Sequence, residues 1–185
     1  MSNAIVDLMR GLDFAARKHS DQRRKGAAAE PYINHLAQVA RLLAEATGGH
    51  DVVLVLGGLL HDAIEDTDTT LEQLEDAFGP EVAALVAEVS DDKTLPRSER
   101  KRLQAETARR KSTRAKMIKL ADKTSNLRSL IDSPPVNWDI RRRRDYLAWT
   151  REVMEGCRGV NSELEAWFDE AYQTALSRLK DGNPR

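Results

Sequence analysis

Residues 61–66 read His61-Asp62-Ala63-Ile64-Glu65-Asp66, placing an imidazole and three carboxylates in one short stretch. The ten residues before them, Asp51 to Leu60, are almost wholly apolar, so the charge arrives at the end of what reads as a buried helix. Burying it is costly unless something compensates. A divalent cation is the simplest compensator, because adjacent His and Asp can ligate it while carboxylates one turn on handle protons. If 51–66 is one helix, His61 with Glu65 and Asp62 with Asp66 form two pairs on adjacent strips of one surface. The chemistry implied is metal-dependent hydrolysis. A solvated helix end is the plainer reading of the same four groups.

Two further polar residues interrupt apolar helical patterns. His35 precedes Leu36, and Asp122 follows Met117-Ile118-Lys119-Leu120-Ala121, with Asn126 one turn later on the same face. Alone, His35 reads as a core histidine and Asp122 as a surface acid. Taken with His61 and Asp62 they make a mixed imidazole and carboxylate set suited to Mn²⁺, Fe²⁺ or Zn²⁺ with open positions for water and substrate.

The elements that must position these residues are helical. Apolar residues at helical spacing predict a first helix from Ala4 to His19 and a second beyond Pro31, closed by Gly48-Gly49. Residues 51–66 form a central third, in which Gly57 and Gly58 cost about 1 kcal/mol each unless a neighbouring helix approaches closely. Thr69 or Thr70 caps a short helix whose Leu71, Leu74 and Phe78 face inward, and Gly79-Pro80 separates it from Glu81 to Val89. Residues 97–116 carry nine Lys or Arg against Glu99 and Glu106, a partly exposed basic helix and loop. An amphipathic helix from Met117 to Ile131 and two more, Trp138 to Cys157 and Asn161 to Leu179, complete an all-α domain of about 8–10 helices. Residues 181–185 are expected to fray.

Composition narrows the class. The 185 residues suit one domain, with 32% charged and only 5% aromatic residues favouring helices over sheets. A formal net charge of −1 argues against a dedicated nucleic-acid or membrane-surface protein. Cys157 is the only cysteine, which excludes an intrachain disulfide and suits a reducing, cytoplasmic setting.

The order His, His-Asp, Asp resembles the HD-domain metal-dependent phosphohydrolases. Arg24-Lys25, Pro31-Tyr32-Ile33-Asn34-His35, the 61–67 segment, Phe78-Gly79, 89–93 and 119–127 together resemble the guanosine pyrophosphate hydrolase domain of RelA/SpoT proteins, most of all the stand-alone small alarmone hydrolases of the metazoan SpoT homologue type. The likeness spans roughly residues 5–175. It implies an all-α HD bundle, Mn²⁺ on His35, His61, Asp62 and Asp122, and Glu65 and Asp66 orienting or activating water. It further implies nucleotide contacts from Arg24 and Lys25, with Asn126 at the ribose or a phosphate. Arg142 and Tyr146, in a basic run matching more loosely, offer a cationic and an aromatic surface to substrate; a solvated helix face explains them equally well.

The activity expected is Mn²⁺-dependent 3′-pyrophosphohydrolysis of (p)ppGpp to GDP or GTP plus pyrophosphate, with no chain left for a synthetic domain. Phosphate removal from a related nucleotide such as NADPH is the alternative within enzymes. A non-catalytic helical module binding nucleotide or nucleic acid through 97–116 is the alternative outside them. Neither a nucleic-acid nor a membrane partner is expected, and the oligomeric state is left open.

Overall fold

The computed structural model describes residues 3–180, leaving the expected fraying of 181–185 outside the described residues. They form ten α-helices and one 3₁₀ turn, with two isolated β-bridges and no strand among the described residues. In order these are α1 (Ala4–Lys18), α2 (Ile33–Ala46), α3 (Val52–Leu60), α4 (Ala63–Asp66), α5 (Leu71–Phe78), α6 (Pro80–Val89), α7 (Arg97–Thr107), the 3₁₀ turn Ala108–Arg110, α8 (Thr113–Asp132), α9 (Ile140–Glu155) and α10 (Ser162–Lys180). The core is α2, α3 and α8, with α10 and α6 packed on α8, α1 on α3, and α7 against α9.

Local chemistry sets the boundaries. Asn3, Asp51, Ser112 and Asp139 each turn a side-chain oxygen onto an orphan amide at the start of α1, α3, α8 and α9. Thr70 and Gln73 form a reciprocal capping box on α5, and Gly79, at φ 86°, turns the chain into Pro80 at the first position of α6. Gly57 and Gly58 sit where neighbours press in: a Cβ on Gly57 would lie 2.7 Å from Leu85 Cδ2, and one on Gly58 would strike Leu43 Cδ1.

Three expectations need correction. Residues 51–66 are not one helix: α3 stops at Leu60, and Asp62 (φ −98°, ψ 0°) leaves helical geometry before α4 begins. The His61 ring takes the Gly58 carbonyl, the acceptor that a continuing α-helix would offer to the Asp62 amide. Nor is α8 amphipathic at its centre, because every residue from Met117 to Ser125 is buried, as befits a helix enclosed by α2, α3, α6 and α10. Leu71 does not face inward; at 46% exposure it lies on the surface, while Leu74 carries the packing of α5.

Candidate functional site

Three helices bring the candidate ligands to one point. His35 comes from the first turn of α2, His61 and Asp62 from the break after α3, and Asp122 from the buried middle of α8. Nε2 of His35 lies 3.3 Å from Asp122 Oδ1 and 3.8 Å from Asp62 Oδ2. Nε2 of His61 lies 3.1 Å from Asp62 Oδ2 and 3.8 Å from Asp122 Oδ1. Ligand atoms of His35, His61 and Asp62 fall within 4.8 Å of one another.

The second nitrogen of each imidazole fixes what the first can do. Ser125 Oγ donates to Gln38 Oε1 at 2.6 Å and so accepts from His35 Nδ1 at 2.8 Å. The Gly58 carbonyl, which can only accept, holds His61 Nδ1 at 2.8 Å. In its neutral form each ring therefore carries the proton on Nδ1 and presents an Nε2 lone pair to the cluster, the tautomer a metal requires. His61 Nε2 is buried and makes no hydrogen bond of acceptable geometry, despite its 3.1 Å approach to Asp62. An orphaned nitrogen facing two carboxylates fits a divalent cation.

Electrostatics agree. Burial alone would depress His61, but the negative charges of Asp62 and Asp122 outweigh it and lift the imidazole to about 10. In His35 burial prevails and holds the ring below its ordinary value. Burial also opposes ionisation of Asp62 and Asp122, yet His61 beside the first and Lys123 beside the second keep both carboxyls low. Tyr32 donates its hydroxyl to Asp62 Oδ2 at 2.8 Å, and burial next to that carboxylate pushes its phenol far up. Asp122 is further held by Asn126 at 2.6 Å and Lys123 at 2.8 Å.

Beside this cluster lies a cavity of about 290 Å³ lined by seven Lys or Arg against Glu65 and Asp91. Arg24, Lys25, Asn126, Tyr146 and Glu65 all reach it. The loop carrying Arg24 and Lys25 is pinned by the Gly26–Pro135 bridge, where a Cβ on Gly26 would collide with Ser133. Arg24 also donates to Asn126 Oδ1 at 3.0 Å. Two expected residues lie elsewhere. Asp66 pairs with Lys93 and is not among the residues lining the cavity, although its amide still donates to the Asp62 carbonyl one turn back at 2.8 Å. Arg142 lies exposed with its guanidinium 4.8 Å from the Trp138 ring centroid.

One wall of the cavity comes from the basic stretch 97–116, which the sequence suggested only as the binding surface of a non-catalytic module. Arg97, Arg100, Lys101 and Gln104 line it from α7, and their i, i+3, i+4, i+7 spacing was the available signal. Tyr32, Lys123, Trp138 and Trp149 also line it.

Residues 11–146 match the family described as HD domain. The chain belongs to the HD-domain family. This HD domain is 49% identical over 165 residues to the human guanosine-3′,5′-bis(diphosphate) 3′-pyrophosphohydrolase MESH1, spanning 89% of this chain and 92% of the human protein. Mouse MESH1 is 46% identical over 173 residues, covering 94% of this chain and 97% of its own. A solved structure described as a metazoan orthologue of SpoT that hydrolyses ppGpp and plays a role in starvation responses matches this HD domain with a TM-score of 0.87 at 45% identity, covering 90% of this chain and 94% of the other.

Proposed function

We propose that the chain is a 3′-pyrophosphohydrolase of (p)ppGpp, acting as a single HD domain with Mn²⁺ on His35, His61, Asp62 and Asp122. The observation that carries this reading is the orphaned His61 Nε2, facing two carboxylates beside a strongly cationic cavity. The names borne by relatives that match nearly their whole length supply the substrate.

When bound by His35, His61, Asp62 and Asp122, a divalent cation would neutralise phosphoryl oxygens and lower the pKa of water. The chain's own groups do the rest. Glu65 accepts the proton of the attacking water, helped by burial and nearby Asp91, which raise its carboxyl above the ordinary value although Arg100 lies 3.1 Å away. Arg24, Lys25 and Lys123 offset phosphate charge, and Asn126 contacts the ribose or a phosphate. Water adds to the 3′-linked phosphorus, the bond to the ribose 3′ oxygen breaks, and that oxygen takes up a proton as pyrophosphate leaves. Asp66, paired with Lys93, supports the loop around the site, while Tyr146 supplies an aromatic wall.

No helix among the described residues is long and apolar enough to cross a membrane. We place the protein in the cytoplasm, which the buried thiol of Cys157 suits. Metal analysis of the purified protein, with side-by-side turnover of ppGpp and NADPH and product identification by mass, tests the proposal. Pyrophosphate release from ppGpp is expected; phosphate release from NADPH with negligible ppGpp cleavage would replace the substrate.

A further inference from the structure

α7 has no buried residue, yet one face of it lines the cavity. On another face Arg102 pairs with Glu99 and, at 2.6 Å, with Glu106. With so little apolar surface, α7 is seated by polar ties. Arg100 donates from a guanidinium nitrogen to Glu65 Oε1 at 3.1 Å, Gln104 donates to the Asp91 carboxylate, and Trp149 Nε1 donates to the Lys101 carbonyl at 3.0 Å.

The first tie reaches the chemistry. Glu65 is held at both oxygens, since the Asp91 amide donates to Oε2 at 3.2 Å while Arg100 takes Oε1. Exposed ion pairs contribute about 0–1 kcal/mol and hold nothing firmly, but these side chains are only 23% and 19% exposed. A carboxylate that must meet one water at one angle gains from such fixing, because small misplacements of catalytic groups cost rate steeply.

We propose that Arg100 is a positioning residue for hydrolysis, fixing the Glu65 carboxylate from α7 so that seating of α7 on the cavity and presentation of the base are one event. This rests on the reading of Glu65 as acceptor of the water proton. Arg97 and Lys101, on the same face, are drawn to a polyanion in the cavity. Occupancy thereby tightens α7 and, through Arg100, holds Glu65 where it is needed.

The test compares wild type with Arg100→Gln and Arg100→Lys in ppGpp turnover with Mn²⁺, alongside amide hydrogen exchange across α7 without nucleotide. For Arg100→Gln, kcat should fall about 10- to 100-fold, with KM changed less than about threefold and bound Mn²⁺ unchanged. Arg100→Lys should recover part of kcat. Exchange in α7 should quicken in Arg100→Gln and in Glu65→Gln alike, the double variant being no faster than either single one. Unchanged kcat, a loss confined to KM, or additive exchange effects would each overturn the proposal. Failure of the hydrolase reading is distinguishable, because wild type would then bind Mn²⁺ and leave ppGpp intact alongside the variants.

Discussion

His61 donates from Nδ1 to the carbonyl oxygen of Gly58, 2.8 Å away and one turn back along α3. Gly58 is also where Leu43 of α2 presses against the helix, in space a Cβ would occupy. One residue therefore admits the neighbouring helix that carries His35 and anchors the imidazole of His61.

Gly58→Ala should lose both. The added methyl group forces Leu43 or the α3 backbone to move, at a cost of about 1–3 kcal/mol, and displaces the acceptor that orients His61. Urea melts and Mn²⁺ titration should show lower stability and weaker metal binding together. Adding Leu43→Val should restore stability by clearing the space. If the single variant binds Mn²⁺ as wild type does, Gly58 does not anchor the site.

Metal binding should depend steeply on pH. In the metal-free protein His61 stays protonated up to about 10, and ligation needs the neutral ring, so each ion expels a proton and affinity rises up to about tenfold per pH unit between roughly 7 and 9. The sign for stability is opposite. A raised imidazole pKa contributes stability fully below its ordinary value of 6.5, lost as pH climbs through about 10. Asp62 and Asp122, held low, contribute above their ordinary 3.8 and lose that contribution as pH falls. Metal-free protein should thus melt at lower temperature near pH 10 than near neutrality, and calorimetry in buffers of different ionisation enthalpy should count the released proton. A pH-independent affinity over that range would contradict the assignment.

Much of this site was legible because His35, His61, Asp62 and Asp122 are polar residues stranded in apolar runs, where burial demands compensation. Helix ends were legible wherever Thr70, Gly79 or Pro80 supplied local capping chemistry. The break at Asp62 was not, since a run as uniformly apolar as Val52–Leu60 carries no periodicity to show where the backbone turns. Nor was the inward face of α7: a cation lining a cavity and one facing water look alike in sequence, and only the spacing of Arg97, Arg100, Lys101 and Gln104 separates them. Arg142 and Tyr146 parted for a related reason, the cation lying over Trp138 while the phenol reaches the cavity.

Glu65 and Asp66 should separate in kinetics. Glu65 lines the cavity, whereas the Asp66 carboxylate is engaged by Lys93 outside it. Glu65→Gln should lower kcat about 10²- to 10⁴-fold, the range for removing a general base, with Mn²⁺ retained. Asp66→Asn should cost less than about tenfold. Equal losses in steady-state assays would return Asp66 to a direct part in water activation.

Asp122 joins metal binding to the stability of the core. Its Oδ2 accepts from Lys123 Nζ at 2.8 Å, both side chains being at most 10% exposed, and Lys123 is held charged by that neighbour against the opposing effect of burial. Asp122→Ala removes a ligand and strands a buried ammonium, a change that typically costs about 3–5 kcal/mol. Lost turnover in this variant could then reflect unfolding as readily as lost metal. Lys123→Met in the same chain removes the stranded charge and leaves an unbranched apolar side chain in its place, giving up the ammonium contact 5.0 Å from the Trp149 ring centroid. The double variant should therefore regain most of the stability in a urea melt and still fail to bind Mn²⁺. Recovery of metal binding along with stability would show that Asp122 supports the fold and is dispensable as a ligand.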